Sequence, residues 1–473
     1  MKKTALVPAV LLVALAAFPA ILLAGEEKPL PKELPPFGPD SPLPVPTIKA
    51  SKLPEGLTVW LVQRPGFPMV TAILTVRGGT ASDPRGMEGI SDTLADTLNE
   101  GTAARTSKQI AEDLQEVGGT LSTNATSDVI QLTVAGLASG STRLLTILAD
   151  VARNASFPVQ EVELAKANAL QGLEVQASTP EFLAQKAFAA AVYDDHPYRT
   201  VAATPETIAA ITPGILKREF LRRFRPERAL LVVVGDLDAA ATGKTIGKVF
   251  AGWKGQGEAP APTPPSPGAK ARQLLVVSRP GSVQSLIMLG RPTVPATDPE
   301  YFPLLVADTV FGGAFGSRLS RNIREDKGYS YGAYSSVQTR EEGGLLQVRA
   351  DVRNEVTAAT LLEMFYELDR MGATVPTSEE VAKAKRYQGG LYLLRNQIQG
   401  AVAGTLATNW VDGLPPEALG DFVRKVNAVT VEQIRQAGRD FYASRSQTIV
   451  VVGDEAKVQS ELSQFGSTRT TQP

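Results

Sequence analysis

The 473-residue chain contains no cysteine and a single histidine, His196. The absence of cysteine excludes disulfide bonds, thiolate nucleophiles and cysteine-ligated metals. One histidine is too few for the imidazole sets that zinc sites commonly use. Lysine and arginine total 48, and aspartate and glutamate total 49, so the net charge is −1. Because there is no basic excess and no acidic run, the composition indicates neither a nucleic-acid partner nor a solvating tail.

The N-terminus, residues 1–24, has the features of a secretory signal peptide. Lys2 and Lys3 precede an apolar run from Ala5 to Ala24. We expect cleavage near Ala24 and a location in the bacterial cell envelope, in the periplasm. The alternative is an uncleaved membrane anchor, because an apolar run of this length spans roughly 30 Å as a helix. Two prolines within the run weaken such a helix.

Two proline-rich stretches divide the rest of the chain. Residues 25–46 are typical of an extended spacer. Residues 255–272 contain five prolines and predict an interdomain linker, because such a stretch forms neither a helix nor a central strand. The linker separates an N-terminal domain, residues 47–254, from a C-terminal domain, residues 273–462. We expect a flexible tail at residues 463–473.

The two predicted domains repeat each other. A helical stretch, an apolar strand and a closing Gly-Asp occupy Thr212–Asp236 and recur at the same spacing in Thr430–Asp454. Upstream, Gln171-Gly172 recurs as Gln388-Gly389. A single repeat at this long period indicates a duplicated domain rather than a solenoid.

Local patterns mix strands and helices. Met69–Val76 alternates apolar positions, as a half-buried strand does, and Ile90–Leu98 has apolar residues at helical spacing. Thr106 and Gln109 predict a capping box that begins a helix, and Glu161–Gln176 predicts another helix. The prediction is an α+β protein of two duplicated domains, each a mostly antiparallel sheet covered by helices on one face.

Several local patterns follow one another along the chain, and their order and spacing together are more specific than any one of them. They are the strand ending at Gly78-Gly79, the Gly-x-x-x-x-Leu helix ending at Glu100-Gly101-Thr102, the Gly118-Gly119 turn, the His196-Pro197-Tyr198 segment and the closing Val-Val-Gly-Asp strands. Together with the duplication, they resemble the pitrilysin/insulinase family of metallopeptidases, the inverzincins, which include mitochondrial processing peptidase. The resemblance covers roughly residues 47–460 and implies the metallohydrolase-like fold of the processing peptidases.

The resemblance also implies that the metal site is degenerate. Active members carry two histidine ligands and a glutamate base on one helix, and a glutamate ligand on a later helix. The corresponding residues here are Asp92, Ala95, Asp96 and Gln171. Ala95 offers no base to activate water, so we expect no metal and no cofactor bound by this chain. We expect Asp92 and Asp96 to be solvated or hydrogen-bonded carboxylates. The alternative is that they hold Ca²⁺ or Mg²⁺, which prefer oxygen ligands.

The C-terminal half retains two residues that the family uses on substrate. Residues 312–331 contain a glycine-rich bend, then Arg324, and then Tyr331. In the family, an Arg and a Tyr in these places reach the active site of the other domain, hold the substrate carbonyl and stabilise the oxyanion. The alternative is an Arg324 paired with a nearby acid and a Tyr331 packed on the sheet. The bend lacks the Gly-Lys-Ser/Thr of a phosphate-binding loop, and it is shorter than the substrate-handling loop of the processing peptidase's non-catalytic subunit.

These residues lead to a hypothesis about function. The resemblance implies a non-catalytic, substrate-handling subunit of a heterodimeric zinc endopeptidase, with zinc in a homologous partner that carries His-x-x-Glu-His. An extended peptide would add to a sheet edge near Leu121–Ala125, where Ser122-Thr123 stands in place of the Asn-Ala of many active members. The alternatives are an inactive scaffold with no role in proteolysis and an independent peptidase. We expect His196 to be structural, because no second His or Cys accompanies it.

Overall fold

A computed structural model describes Gly38 and residues 45–471. The predicted signal peptide and most of the predicted spacer lie outside the described residues. Within the described part of the chain, no helix is both long and apolar enough to cross a membrane.

In the N-terminal half, strands and helices follow one another in the mixed order that the sequence predicts. The strands are β1 (Ile48–Lys52), β2 (Thr58–Gln63), β3 (Met69–Arg77), β4 (Thr120–Ala125), β5 (Val129–Leu137) and β6 (Ala229–Gly235). The helices are α1 (Ile90–Thr97), α2 (Ser107–Gln115), α3 (Ser141–Asn154), α4 (Val159–Ala177), α5 (Pro180–Tyr193), α6 (Pro205–Ala210), α7 (Pro213–Arg223) and α8 (Ala239–Val249).

The C-terminal half repeats this succession with one strand moved to the end of the chain. The strands are β7 (Gln273–Ser278), β8 (Gln284–Thr293), β9 (Ala333–Arg340), β10 (Gly343–Arg353), β11 (Thr448–Gly453) and β12 (Thr468–Thr471). The helices are α9 (Tyr301–Phe311), α10 (Arg318–Ser320), α11 (Thr357–Ala373), α12 (Ser378–Arg395), α13 (Gln399–Val411), α14 (Ala418–Ala428), α15 (Val431–Phe441) and α16 (Glu455–Leu462). A π-helical turn, Arg321–Asp326, follows α10 directly.

The described strands form two six-stranded sheets with equivalent topology. The orders are β1-β2-β6-β3-β5-β4 and β12-β7-β11-β8-β10-β9. Most neighbours are antiparallel, and the parallel pairs are β2 with β6, β7 with β11, and β7 with β12. The predicted fold of two duplicated domains with mostly antiparallel sheets is therefore confirmed.

The two sheets differ at one edge, and there the sequence prediction was wrong. The N-terminal sheet begins with β1, which pairs antiparallel with β2. The corresponding edge of the C-terminal sheet is β12, which pairs parallel with β7 and belongs to the predicted flexible tail, 463–473. The three threonines of Thr468–Thr471 have the β-branched side chains that favour strands. The open edge of β7 supplies partners for their backbone groups.

Local sequence signals act as expected where helices begin. The Thr106 side chain accepts a hydrogen bond from the Gln109 backbone N–H at 3.3 Å, and the Gln109 amide oxygen accepts one from the Thr106 N–H at 2.9 Å. This capping box begins α2 and confirms the sequence prediction.

One face of each sheet packs against helices of its own half. Buried apolar residues of α1, α3 and α7 form one core with the N-terminal sheet. Helices α9, α11 and α15 form the equivalent core with the C-terminal sheet. These two cores correspond to the helix-covered faces that the sequence predicts.

The second face of each sheet is covered by a helix from the other half, which the sequence analysis did not predict. Phe188 of α5 belongs to a buried cluster with Leu275 and Val450 of the C-terminal sheet. Reciprocally, Leu406 of α13 belongs to a cluster with Val232 of the N-terminal sheet. The central strands β6 and β11 are accordingly buried along their whole length, as strands covered on both faces are.

The predicted linker, 255–272, is fixed against both halves. The His196 Nε2 is 2.8 Å from the carbonyl oxygen of Pro264, and the Ser266 N–H donates to the carbonyl of Glu342 at 2.9 Å. The linker therefore runs along the two halves as a fixed strap.

We predict that the exchanged helices hold the two halves together. Phe188→Ala should lower the free energy of unfolding by about 3–5 kcal/mol, because it leaves a cavity between α5 and the C-terminal sheet. Tyr366→Ala on α11, where the ring is exposed, is the matched control and should change it by less than about 0.5 kcal/mol. Urea denaturation measures both, and equal midpoints would contradict the role of α5.

Candidate functional site

The degenerate helix α1 keeps its place although its metal chemistry is absent. Asp92 and Asp96 are exposed on one side of the helix, and Ala95 is buried in the N-terminal core. The helix begins after Gly89, whose φ of 97° lies in the left-handed region that favours glycine. The Asp83 carboxylate accepts hydrogen bonds from the Gly89 N–H at 3.1 Å and from the Ser91 N–H at 3.2 Å. An external carboxylate therefore satisfies the first free N–H groups of the helix.

A fully buried arginine fixes the start of α1. Arg223 at the end of α7 donates to Asp83 at 2.9 Å and to Ser91 Oγ at 2.5 Å, and it also reaches Glu219 at 3.3 Å. The same guanidinium donates to the carbonyl of Gly78 at 3.0 Å. Removing one member of such a buried network leaves uncompensated charge, which typically costs about 3–5 kcal/mol. The start of α1 is thus held by interactions that involve none of the four positions of the degenerate metal site.

The electrostatics of α1 are set by partly desolvated carboxylates that lie close to one another. Partial desolvation by the surrounding protein, together with the negative charges of Asp83 and Asp96, raises the pKa of Asp92 to about 6. Desolvation also raises the pKa of Asp96. The Asp92 side chain is nevertheless exposed to solvent, so water reaches it and screens part of these effects.

The residues at the four predicted positions do not fit a zinc site. Asp92 and Asp96 offer carboxylates, Ala95 offers only a buried methyl group, and Gln171 offers an exposed amide on α4. Among the residues that the structure describes, no group of three or more His, Cys, Asp or Glu is arranged to hold a metal ion. Because the four positions offer neither a zinc-ligand set nor a base, we assign no zinc-dependent step to them.

The C-terminal half contains the counterpart of the α1–α4 contact. Gln388 on α12 donates to the Thr309 hydroxyl on α9 at 2.7 Å. Helices α12 and α9 are the repeat equivalents of α4 and α1, and Gln388 is the equivalent of Gln171. Position 171 thus carries the same residue, glutamine, as position 388, where the side-chain amide joins α12 to α9.

Arg324 and Tyr331 stand in the same chain segment of the C-terminal half, on either side of the turn that leads into β9. Arg324 is in the last turn of the helical segment 318–326, as predicted, and Tyr331 precedes β9. The guanidinium carbon of Arg324 is 4.2 Å from the ring centroid of Phe315. Its Nη1 atom is buried and has no hydrogen-bond partner among the described residues. The Tyr331 side chain is 96% exposed, so it does not pack on the sheet as the alternative would have it.

The predicted peptide edge is an edge in the structure. Strand β4 is the last strand of its sheet and pairs only with β5 among the described strands. Its side chains alternate in exposure, and Ser122 and Asn124 face solvent. The backbone groups on its outer side are therefore available to an added strand.

His196 joins the linker to the N-terminal half, which confirms the predicted structural role. Its Nδ1 accepts a hydrogen bond from the Tyr198 N–H at 3.1 Å, and its Nε2 is hydrogen-bonded to the Pro264 carbonyl. Both ring nitrogens are occupied, and the ring lies 4.7 Å from the Tyr198 ring.

Two cavities were not found by sequence reasoning. One, of about 1150 Å³, lies between α4, α5 and the segment 195–205. The other, of about 660 Å³, lies between the glycine-rich bend, α12 and the end of α11. Neither Asp92 nor Gln171 lines the first cavity. The walls of both cavities come from segments distant in sequence, so no local sequence pattern could indicate these cavities.

We predict that ionised Asp92 destabilises the fold. A carboxyl whose pKa is raised in the folded state costs stability above that pKa, and the cost disappears as the pH falls and the group is protonated in both states. Asp92→Asn should therefore raise the free energy of unfolding by about 1 kcal/mol at pH 7.5, a value reduced for screening. The gain should shrink as the pH falls below about 6 and vanish near pH 3, below the ordinary pKa of an aspartate. Urea denaturation of the wild-type chain and of Asp92→Asn at the two pH values measures the difference in the free energy of unfolding. The same difference at both pH values would refute the effect.

Two family models match the chain in succession. The model for insulinase (peptidase family M16) matches residues 58–206. The model for the peptidase M16 inactive domain matches residues 210–387.

Related proteins and solved structures extend the similarity over most of the chain. The uncharacterized zinc protease YmxG of Bacillus subtilis is 21% identical over 399 residues, which are 84% of this chain and 96% of that protein. A Pseudomonas fluorescens structure described as a peptidase M16 inactive domain has a TM-score of 0.80 and 25% identity, and covers 86% of this chain and 98% of that chain. A protease from Helicobacter pylori shares the fold, with a TM-score of 0.81 at 17% identity and coverage of 86% and 100%. The chain belongs to the insulinase family, peptidase family M16, and is of the non-catalytic type that lacks His-x-x-Glu-His.

Proposed function

We propose that this chain is the non-catalytic, substrate-handling subunit of a heterodimeric zinc endopeptidase. A homologous subunit with an intact His-x-x-Glu-His helix would bind the zinc that activates water. This chain would supply Arg324 and Tyr331 to the reacting peptide. The observation that carries the proposal is that the Arg324 Nη1 has no hydrogen-bond partner among the described residues, while the Tyr331 side chain, seven residues on, is 96% exposed.

The N-terminal half supports a role without chemistry of its own. Its helix α1 is held rigidly by Arg223 and Asp83, yet Asp92, Ala95 and Asp96 provide neither zinc ligands nor a base. A fold that is kept while the reacting groups are replaced serves to present surfaces rather than to cleave bonds.

The C-terminal half offers groups suited to a developing negative charge. When water attacks a peptide carbonyl, the oxygen gains charge, and fixed donors aimed at it lower the barrier. Arg324 has an unused N–H, and the Tyr331 hydroxyl is exposed to whatever approaches this surface. A guanidinium and a phenol in these positions would hold the carbonyl oxygen of a substrate bound between two subunits.

The substrate we propose is an extended peptide. The open edge of β4 accepts main-chain hydrogen bonds from an added strand, and such bonds are largely independent of side-chain identity. Ser122, Thr123 and Asn124 lie in this edge strand, so the peptide would follow the segment that the sequence predicts.

The proposed location is the periplasm. The basic start and apolar run at residues 1–24 support secretion, and the complex would then act on peptides outside the cytoplasm. An uncleaved run would instead tether the complex to the membrane through the spacer.

We expect peptide cleavage to require both chains. The full chain is co-expressed with a homologous His-x-x-Glu-His protein, co-purification of the two is checked, and kcat is measured on an extended peptide. Arg324→Ala should lower kcat by about 100-fold or more, because it removes an oxyanion donor. Tyr331→Phe should lower kcat for the same reason.

The controls are chosen to separate chemistry from surface charge. Arg321→Ala removes an exposed cation three residues earlier in the same helical segment, and Tyr366→Phe removes an exposed hydroxyl on α11. Both should retain full kcat. Unchanged turnover in Arg324→Ala and Tyr331→Phe would favour the inactive scaffold instead. Cleavage by the purified single chain would refute both functions.

A further inference from the structure

Phe315 is an exposed aromatic residue that contacts Arg324. The ring is 60% exposed, yet the guanidinium carbon of Arg324 lies 4.2 Å from its centroid. A cation over the face of an aromatic ring is attracted to the ring's negative face. This attraction holds the cation to one side and leaves its other N–H groups free to donate.

The Phe315 ring has no other packing role of comparable size. It does not belong to the apolar cores formed by the described residues. One side of it borders the cavity of about 660 Å³. Because burial in a core does not explain its position, the contact with Arg324 is its principal interaction.

The bend that carries Phe315 is held in one conformation. The N–H groups of Gly312 and Gly313 donate to the carbonyl of Asp308 at 2.9 and 2.7 Å, and the Ser335 N–H donates to the carbonyl of Gly312 at 3.1 Å. The Ser335 hydroxyl donates to the buried Asp308 carboxylate at 2.5 Å. A Cβ at position 313 would lie 2.7 Å from that carboxylate, so the tight bend requires glycine there.

The segment that carries Arg324 is anchored from the other side. Asn322 donates to Glu363 at 3.0 Å and to Glu367 at 2.9 Å, both on α11. Arg318 forms a two-point ion pair with Glu380 on α12 at 2.7 and 2.9 Å. The backbone at both ends of the Phe315–Arg324 contact is therefore fixed, and only the side chains remain to be oriented.

We infer that Phe315 is a positioning residue that fixes the Arg324 guanidinium for substrate. The glycine-rich bend, which carries Phe315, would thus affect substrate only by positioning Arg324. A bend with this role does not need to reach the substrate, so it can be shorter than a substrate-handling loop. The inference rests on the proposed function for its kinetic consequence but not for the contact itself. A direct substrate contact by Phe315 is the competing role, and kinetics distinguishes the two.

The contact is tested first in the single chain, without a partner. Phenylglyoxal modifies accessible guanidinium groups, and site-resolved mass spectrometry compares the rate at Arg324 with that at Arg321 as an internal reference. Phe315→Leu retains apolar volume but removes the aromatic face. It should raise the relative rate at Arg324 about three- to tenfold, and Phe315→Trp should keep it low. Equal rates in all three proteins would overturn the inference.

The kinetic role is tested in the two-chain complex. Phe315→Leu should lower kcat about three- to tenfold and leave KM nearly unchanged, because Arg324 acts on the charge of the transition state. Phe315→Trp should restore kcat. In the Arg324→Ala background, Phe315→Leu should have no further effect, because the residue through which it acts is gone.

The outcomes separate this inference from the proposed function. A raised KM, or losses that add in the double variant, would identify Phe315 as a substrate contact and overturn the positioning role. A large loss with Arg324→Ala and none with Phe315→Leu would overturn the inference and leave the proposed function intact. Full activity of Arg324→Ala would reject the proposed function, while the labelling rates would still decide whether Phe315 holds the guanidinium.

Discussion

The exchange of α5 and α13 between the two sheets is the constraint on which the rest of the molecule depends. Both sheets have central strands, β6 and β11, that are buried on both faces, and in each case a helix of the other half covers the second face. Uncovering several hundred Å² of apolar surface costs roughly 10 kcal/mol at about 25 cal/mol per Å². Because a whole domain is stable by only about 5–15 kcal/mol, neither half is expected to persist without the other.

This frame explains how the metal chemistry could be replaced without loss of the fold. The position of α1 depends on Ala95 and its apolar neighbours in the core and on the Arg223–Asp83 network at its start. Asp92 and Asp96 project from the other side and take no part in either. Their identity is therefore free to change, at the modest electrostatic cost that the raised pKa values indicate.

Sequence patterns were informative where the interactions are local. The pattern in Met69–Val76 and the Thr106 capping box predicted real elements, because strand period and cap chemistry act within a few residues. The strand is nevertheless buried on both faces and not half-buried as predicted, because a helix of the other half covers its second face. The sequence analysis predicted helices on one face of each sheet only, and it did not identify α5 and α13 as helices that cover the second faces, because those contacts join segments distant in sequence. The Phe315–Arg324 contact was beyond reach, since it depends on a bend held by Asp308 and Ser335, which are distant in sequence.

The state of Arg324 is unusual in physical terms, because a buried guanidinium nitrogen has no hydrogen-bond partner among the described residues. A buried donor without an acceptor costs about 1–3 kcal/mol, and more when it is charged. The contact with the Phe315 ring offsets about 0.5–2 kcal/mol of that cost. An apolar side chain at position 324 would avoid the cost altogether. An arginine there is consistent with the proposed function, in which the guanidinium meets an oxygen with developing negative charge on a bound peptide.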